Sequence, residues 1–109
     1  MNSKLFRGSL DTIILKMLSE YEEMYGYEIS QKVKSRSGDS FDITEGALYP
    51  ALHRLESKGW LESETRNIGN RNRKYYRLSE SGISALDESL SDMEAFISGL
   101  QLILQPKLS

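Results

Sequence analysis

Cysteine is absent from the sequence, and its 109 residues include only one histidine, one tryptophan and two prolines. Without cysteine there is neither a disulfide framework nor a thiolate metal site. The single histidine, His53, has no second histidine, cysteine or Gly-framed serine in its company, so no catalytic constellation forms and an enzyme is not expected. The stretch GNRNRK, residues 69–74, lacks the Walker spacing of a phosphate-cradling loop. Neither a cofactor nor a metal is expected. No apolar run reaches the ~18 residues of a membrane span, and MNSKLFRGSLDTIIL at the start lacks a continuous apolar region with a small-residue cleavage site. The expected location is the cytoplasm, with no membrane partner.

What is present is an ordinary globular balance, 39% hydrophobic and 28% charged, on a chain long enough for one domain with a real core but hardly two. The net charge of −2 conceals a segregation. Residues 66–77, RNIGNRNRKYYR, hold Arg66, Arg71, Arg73, Lys74 and Arg77 and no acid; residues 79–104 hold Glu80, Asp87, Glu88, Asp92 and Glu94 and no base. One part of the molecule is cationic and another anionic, so the local field matters more than the total.

Periodicity divides the chain into five elements. Leu10, Ile13, Ile14, Met17, Leu18 and Tyr21 recur as the buried stripe of a first helix. Gly26 punctuates YEEMYG. A second helix is expected over about 27–37, with Ile29 and Val33 inward and Lys32, Lys34 and Arg36 outward. SGDSFD, residues 37–42, is rich in turn formers. The third helix has both ends written in sequence. Thr44 is a suitable N-cap, Ile43 and Leu48 occupy the staple positions, and Glu45 complements the dipole. Gly59 fits the position after the C-cap, with Trp60 packing back on Leu55 as in a Schellman ending. Leu48, Ala51, Leu52 and Leu55 form its inner stripe. Two strands follow, joined across Gly69-Asn70, a hairpin signal. Of the adjacent Tyr75 and Tyr76, alternation turns one toward the core. The last helix opens at Ser79. Ile83, Leu86, Leu90, Met93, Ile97, Leu100 and Leu104 then step by alternating threes and fours, a heptad seam.

Three helices followed by a two-stranded hairpin and a long helix is a mainly α layout, that of a winged helix-turn-helix. In it the third helix enters the major groove and the hairpin reaches phosphates or the minor groove. On this layout GALYPALHRLESKGWLE (46–62), with MYGYEI (24–29) upstream and RKYYRLSESG (73–82) downstream, resembles the PadR family of bacterial transcriptional regulators. The resemblance runs from about Gly8 to the end. It implies a homodimeric repressor, with a DNA-binding winged helix over 1–78 and a C-terminal dimerisation segment over 79–109. Many members have several C-terminal helices, whereas this chain has room for one. It is similar to the short subclass, some members of which bind flat aromatic compounds at the dimer interface.

The partners expected are a pseudo-palindromic DNA duplex, a second copy of the chain and a small aromatic effector. Phosphate contacts are expected from Lys32, Lys34, Arg36, Arg71, Arg73 and Lys74. The third helix contributes Thr44, Glu45, Gly46 and Tyr49 near the bases, with Pro50, His53 and Arg54 on its further faces. Pro50 removes the N–H that the Gly46 carbonyl would accept, so the first turn should bend away from the rest. Either that bend aims Tyr49 at DNA, or the kink is merely tolerated and Tyr49 is half buried. Along the last helix Ile83, Leu86, Leu90, Met93, Ile97, Leu100 and Leu104 are expected to pair with a second copy. Phe96 lies off this seam, and with Met93 it either lines an apolar crevice for the effector or simply packs. The rival from a different class is a winged helix used for protein–protein contact, against which the basic hairpin stands.

Overall fold

A computed structural model of the chain describes residues 4–108. The elements are α1 (Lys4–Glu20), β1 (Met24–Tyr25), α2 (Gly26–Arg36), α3 (Glu45–Ser57), β2 (Leu61–Ile68), β3 (Arg71–Leu78) and α4 (Glu80–Leu104). α1 starts a turn and a half earlier than its apolar stripe indicates. The extra turn brings Phe6 into the core, against Phe41 at 4.9 Å between ring centroids. Leu10, Ile14, Met17 and Leu18 are buried, with Ile13 and Tyr21 packed partly against them.

The hairpin has the expected two-residue turn. β2 and β3 pair antiparallel in continuous register from Leu61 opposite Leu78 to Ile68 opposite Arg71. Gly69 takes φ +63 while Asn70 does not enter the left-handed region, the arrangement of a type II′ turn, whose twist suits a hairpin. The sheet has three strands rather than two. Met24 and Tyr25 pair with Tyr76 and Tyr75, giving the order β1-β3-β2. Two residues are too few to show a period, which is why this strand left no mark in the sequence. It also changes the role of Gly26, which is no break but the first residue of α2. Tyr25 precedes it in extended conformation, its N–H bonded to Glu28 Oε1 at 3.2 Å.

α3 has the ends anticipated for it. The Ala47 N–H donates to Thr44 Oγ1 at 3.2 Å, and Ile43 and Leu48 are both buried. At the other end the Trp60 N–H reaches the Leu55 carbonyl at 3.0 Å and the Gly59 N–H reaches that of Glu56 at 2.9 Å, with Gly59 at φ +80. These are the two bonds of a Schellman motif. The helix runs unbroken through Pro50. The carbonyl that loses its donor belongs to Gly46, an exposed residue in the first turn, where water can serve it. Leu48, Ala51, Leu52 and Leu55 are all buried. They meet α1, α2 and the inner sheet face, on which Met24, Leu61 and Tyr76 lie.

α4 leaves from the turn between α3 and β2. Ser79 donates its N–H to the Trp60 carbonyl at 3.1 Å and its hydroxyl to the Gly59 carbonyl at 2.5 Å; its Oγ accepts the Gly82 N–H at 3.0 Å. The regular heptad seam does not survive as one surface. Leu86 is buried in the chain's own core, with Ala85 and Leu90 packed partly against it, while Ile83, Phe96, Ile97, Leu102, Ile103 and Leu104 are exposed. The helix projects well past the head, and the molecule measures 66 × 28 × 21 Å. Among the described residues no helix is long and apolar enough to cross a membrane.

Gly82 sits where no side chain fits. A Cβ there would lie 2.0 Å from the Trp60 carbonyl oxygen, a backbone atom held by its own hydrogen bond. Gly82→Ala must shift α4 or break the cap, a penalty at or above the ~1–3 kcal/mol of ordinary overpacking. Thermal unfolding followed by circular dichroism should show Tm lower by at least ~5 °C. An unchanged Tm would mean that α4 is not anchored at this turn.

Candidate nucleic-acid interface

Burying one face of α3 turns the other outward. Glu45, Gly46, Tyr49, Pro50, His53 and Arg54 are exposed. Gly46 is open, with only Thr44 Oγ1, at 4.0 Å, near the place of a missing Cβ. Thr44 is itself occupied as the cap. Tyr49 combines both readings of the sequence. It is 47% exposed, yet one ring edge rests on Gly26, where a Cβ would meet Tyr49 Cε1 and Oη at 2.8 Å. A glycine at the start of α2 therefore makes room for a tyrosine of α3. Sequence reasoning missed this, since nothing local links the two.

The cations sort into engaged and free. Arg54 leans toward α1, with Nη2 2.6 Å from Asp11 Oδ1. Arg36 is paired with Glu20, which Lys16 also reaches at 3.1 Å. The Arg36 guanidinium, and after it the Lys16 ammonium, hold the Glu20 carboxyl below the usual carboxylate range. On α2 this leaves Lys34, and Lys32 with its Nζ 4.9 Å from the Tyr21 ring centroid.

On the hairpin the acid-free run of sequence acquires acids from elsewhere. Arg66 makes a bidentate contact with Glu23 at 2.6 and 2.8 Å and touches Glu64 at 3.2 Å. This pairing lowers the Glu23 carboxyl below its ordinary range and raises the Arg66 guanidinium. Arg77 lies 3.7 Å from Glu62 and 3.9 Å from Glu64. Lys74 reaches Glu56 at 3.0 Å. Among the described residues, Arg71 and Arg73 form no ion pair. Both lie toward the hairpin tip.

Arg73 is oriented by an aromatic ring instead. Its guanidinium carbon lies 4.2 Å from the Tyr25 centroid, Tyr25 meets Tyr75 edge-on at 5.6 Å, and Arg66 lies 4.4 Å from Tyr75. Stacking on a ring face leaves the in-plane N–H donors of an arginine available. The register pairs Tyr25 with Tyr75 across β1 and β3, and period-two alternation sets Arg73 and Tyr75 on one face. The alternation was visible in RKYYR; the strand supplying Tyr25 was not. Tyr25, Tyr27, Arg71, Asn72 and Arg73 line a concavity of about 480 Å³ beside the start of α2. Tyr76, on the opposite face, is buried, which raises its hydroxyl above the ordinary range.

Ile83, Met93, Phe96, Ile97, Leu100 and Leu104 lie away from this surface. Met93 and the exposed Phe96 line, with Leu5, Gly8 and Thr12 of their own α1, an open groove of about 400 Å³.

A helical head with an outward helix face beside an arginine-tipped hairpin defines a winged helix-turn-helix, a DNA-binding class. The model of the PadR-like family of transcriptional regulators matches residues 14–88, and the chain belongs to that family. A transcriptional regulator of Mycobacterium tuberculosis is 40% identical over 72 residues, 66% of this chain and 64% of its own length. A transcriptional regulator of Clostridium thermocellum superposes with a TM-score of 0.87 at 32% identity, covering 94% of this chain and all (100%) of its own. A PadR family regulator of Eggerthella lenta gives 0.83 at 33% identity, covering 95% and 88%. The chain is thus a DNA-binding transcriptional regulator and not an enzyme.

Proposed function

We propose that the chain acts in the cytoplasm as a homodimeric repressor, with residues 1–78 as the DNA-binding head and 79–109 as the dimerisation segment. The observation that carries the dimer is the apolar outer half of α4, where Ile97 is 47% exposed, Leu100 37% and Leu104 72%. Covering one leucine is worth ~1.5–3 kcal/mol, and a twofold axis counts each contact twice. Because Leu86 and Leu90 serve the head, the pairing surface draws on Ile83, and on Met93, Ile97, Leu100 and Leu104 further out. Two heads so joined present their α3 helices to major grooves about one turn, ~34 Å, apart on a pseudo-palindromic site. Gly46 and Tyr49, with Thr44 and Glu45, face the bases, and His53 lies on the phosphate side. Arg71 and Arg73, with Lys32 and Lys34, hold phosphates. Occupying the operator blocks transcription.

An effector fits the same frame. A flat aromatic molecule between α1 and α4 at Met93 and Phe96 touches the element that sets the spacing of the heads. It acts only through a preference for one spacing, and tenfold release needs ~1.4 kcal/mol of it.

Binding to the protein's own promoter, measured across a salt series, tests the DNA contacts. Replacing Arg71 and Arg73 together by alanine should weaken binding to every duplex and flatten the log–log salt slope by roughly 0.9 for each phosphate no longer neutralised. An unaltered slope would remove the hairpin from the interface. Sedimentation tests the pairing: Ile97→Asp, at a position outside the chain's own core, should yield folded monomers without operator binding. A dimer that persists in this variant would refute the α4 pairing. For the effector, a panel of flat aromatic dyes should alter dimer stability and Trp60 fluorescence. Equal binding to Phe96→Ala would exclude this groove.

A further inference from the structure

Glu56 occupies the last turn of α3, and each of its carboxylate oxygens is taken by a different strand of the hairpin. Oε2 accepts the hydroxyl of Ser63 on β2, and Oε1 accepts Lys74 Nζ of β3 at 3.0 Å. Ser63 pairs with Tyr76 and Lys74 with Thr65 in the ladder, so both donors stand on the sheet face turned toward α3. Lys74 Nζ also lies 5.4 Å from the Tyr76 ring centroid. Arg71 and Arg73, on the opposite face, have no acid among the described residues. The cations of the hairpin therefore differ in kind, although they stand together in sequence.

We propose that Glu56 is a positioning residue that fixes the hairpin to the end of α3 and withholds Lys74 from DNA phosphate, an inference resting on the DNA contacts proposed above. The physical reason is the field of the duplex. Transferring Lys74 to a phosphate would leave the Glu56 carboxylate unpaired next to a polyanion. The exchange replaces one charge-assisted hydrogen bond by another and adds a like-charge repulsion. Keeping the pair presents the DNA with a neutral strut instead. The Ser63 hydroxyl, and then the Lys74 ammonium, hold Glu56 below the ordinary carboxylate range, and the bond to Glu56 raises Lys74.

Salt dependence separates a strut from a phosphate ligand, because each neutralised phosphate contributes about 0.9 to the log–log slope of binding. Glu56→Gln should steepen it by about 0.9, as the freed Lys74 finds a phosphate. Adding Lys74→Met to Glu56→Gln should restore the wild-type value. An unchanged slope for Glu56→Gln, or a slope flatter than wild type for the double variant, overturns the proposal. A second measurement needs no variant. In the wild-type protein Lys74 should acetylate slowly with acetic anhydride, to the same extent with and without duplex; strong additional protection by duplex overturns the strut. Wild-type protein that shows no salt-dependent duplex binding would defeat the DNA contacts themselves, whereas salt-dependent binding with an unchanged Glu56→Gln slope defeats the strut alone.

Discussion

The turn at Gly59 and Trp60 fixes the placement of everything that follows α3. Gly59 ends the helix in the left-handed region, and the Trp60 N–H closes the last turn. The carbonyls of the same two residues then accept both donors of Ser79, so the hairpin that leaves this turn also returns to it. α4 begins on that closure and passes so near Trp60 that only glycine fits at position 82. The end of α3, the base of the hairpin and the start of α4 are thus one hydrogen-bonded unit.

Charge is arranged with similar restraint. Arg36, Arg54, Arg66, Lys74 and Arg77 all face acids of the same chain; Arg66 ties β2 to the loop before β1, and each of the others joins two elements. Half-exposed pairs of this kind add little stability one by one, but they orient the parts they connect. Their other effect is subtraction. The positive field that seemed to cover a whole stretch of sequence contracts to the hairpin tip and the outer side of α2. A narrow field specifies orientation on a duplex better than a broad one, since fewer misplaced approaches find phosphate partners.

Local chemistry accounts for what was legible in the sequence. The cap at Thr44, the staple of Ile43 and Leu48, the ending at Gly59 and the turn at Gly69 each depend on residues within a few positions of one another. Alternation likewise predicts that one of Tyr75 and Tyr76 turns inward, and Tyr76 does. The illegible features are all tertiary. β1 is too short for a pattern, and its strand identity comes from β3. Gly26 and Gly82 are defined by Tyr49 and the Trp60 carbonyl, partners far away in the chain. The heptad seam is divided for a related reason, since an apolar stripe does not declare what it packs on: Leu86 serves the head, and Ile97 is exposed. At the candidate interface the exposed face of α3 follows from its buried one. Which cations are free does not, because Asp11, Glu20, Glu23 and Glu56 lie elsewhere in sequence.

β1 contributes only two register pairs to the sheet, and Tyr25, on which Arg73 rests, is one of its two residues. The other residue, Met24, is buried in the core, so β1 is held from its inner face and Tyr25 is kept beneath Arg73. The order of the hydrophobic interior is thereby carried across two residues to a charged side chain at the surface, and the stiffness of that arginine depends on packing it never touches.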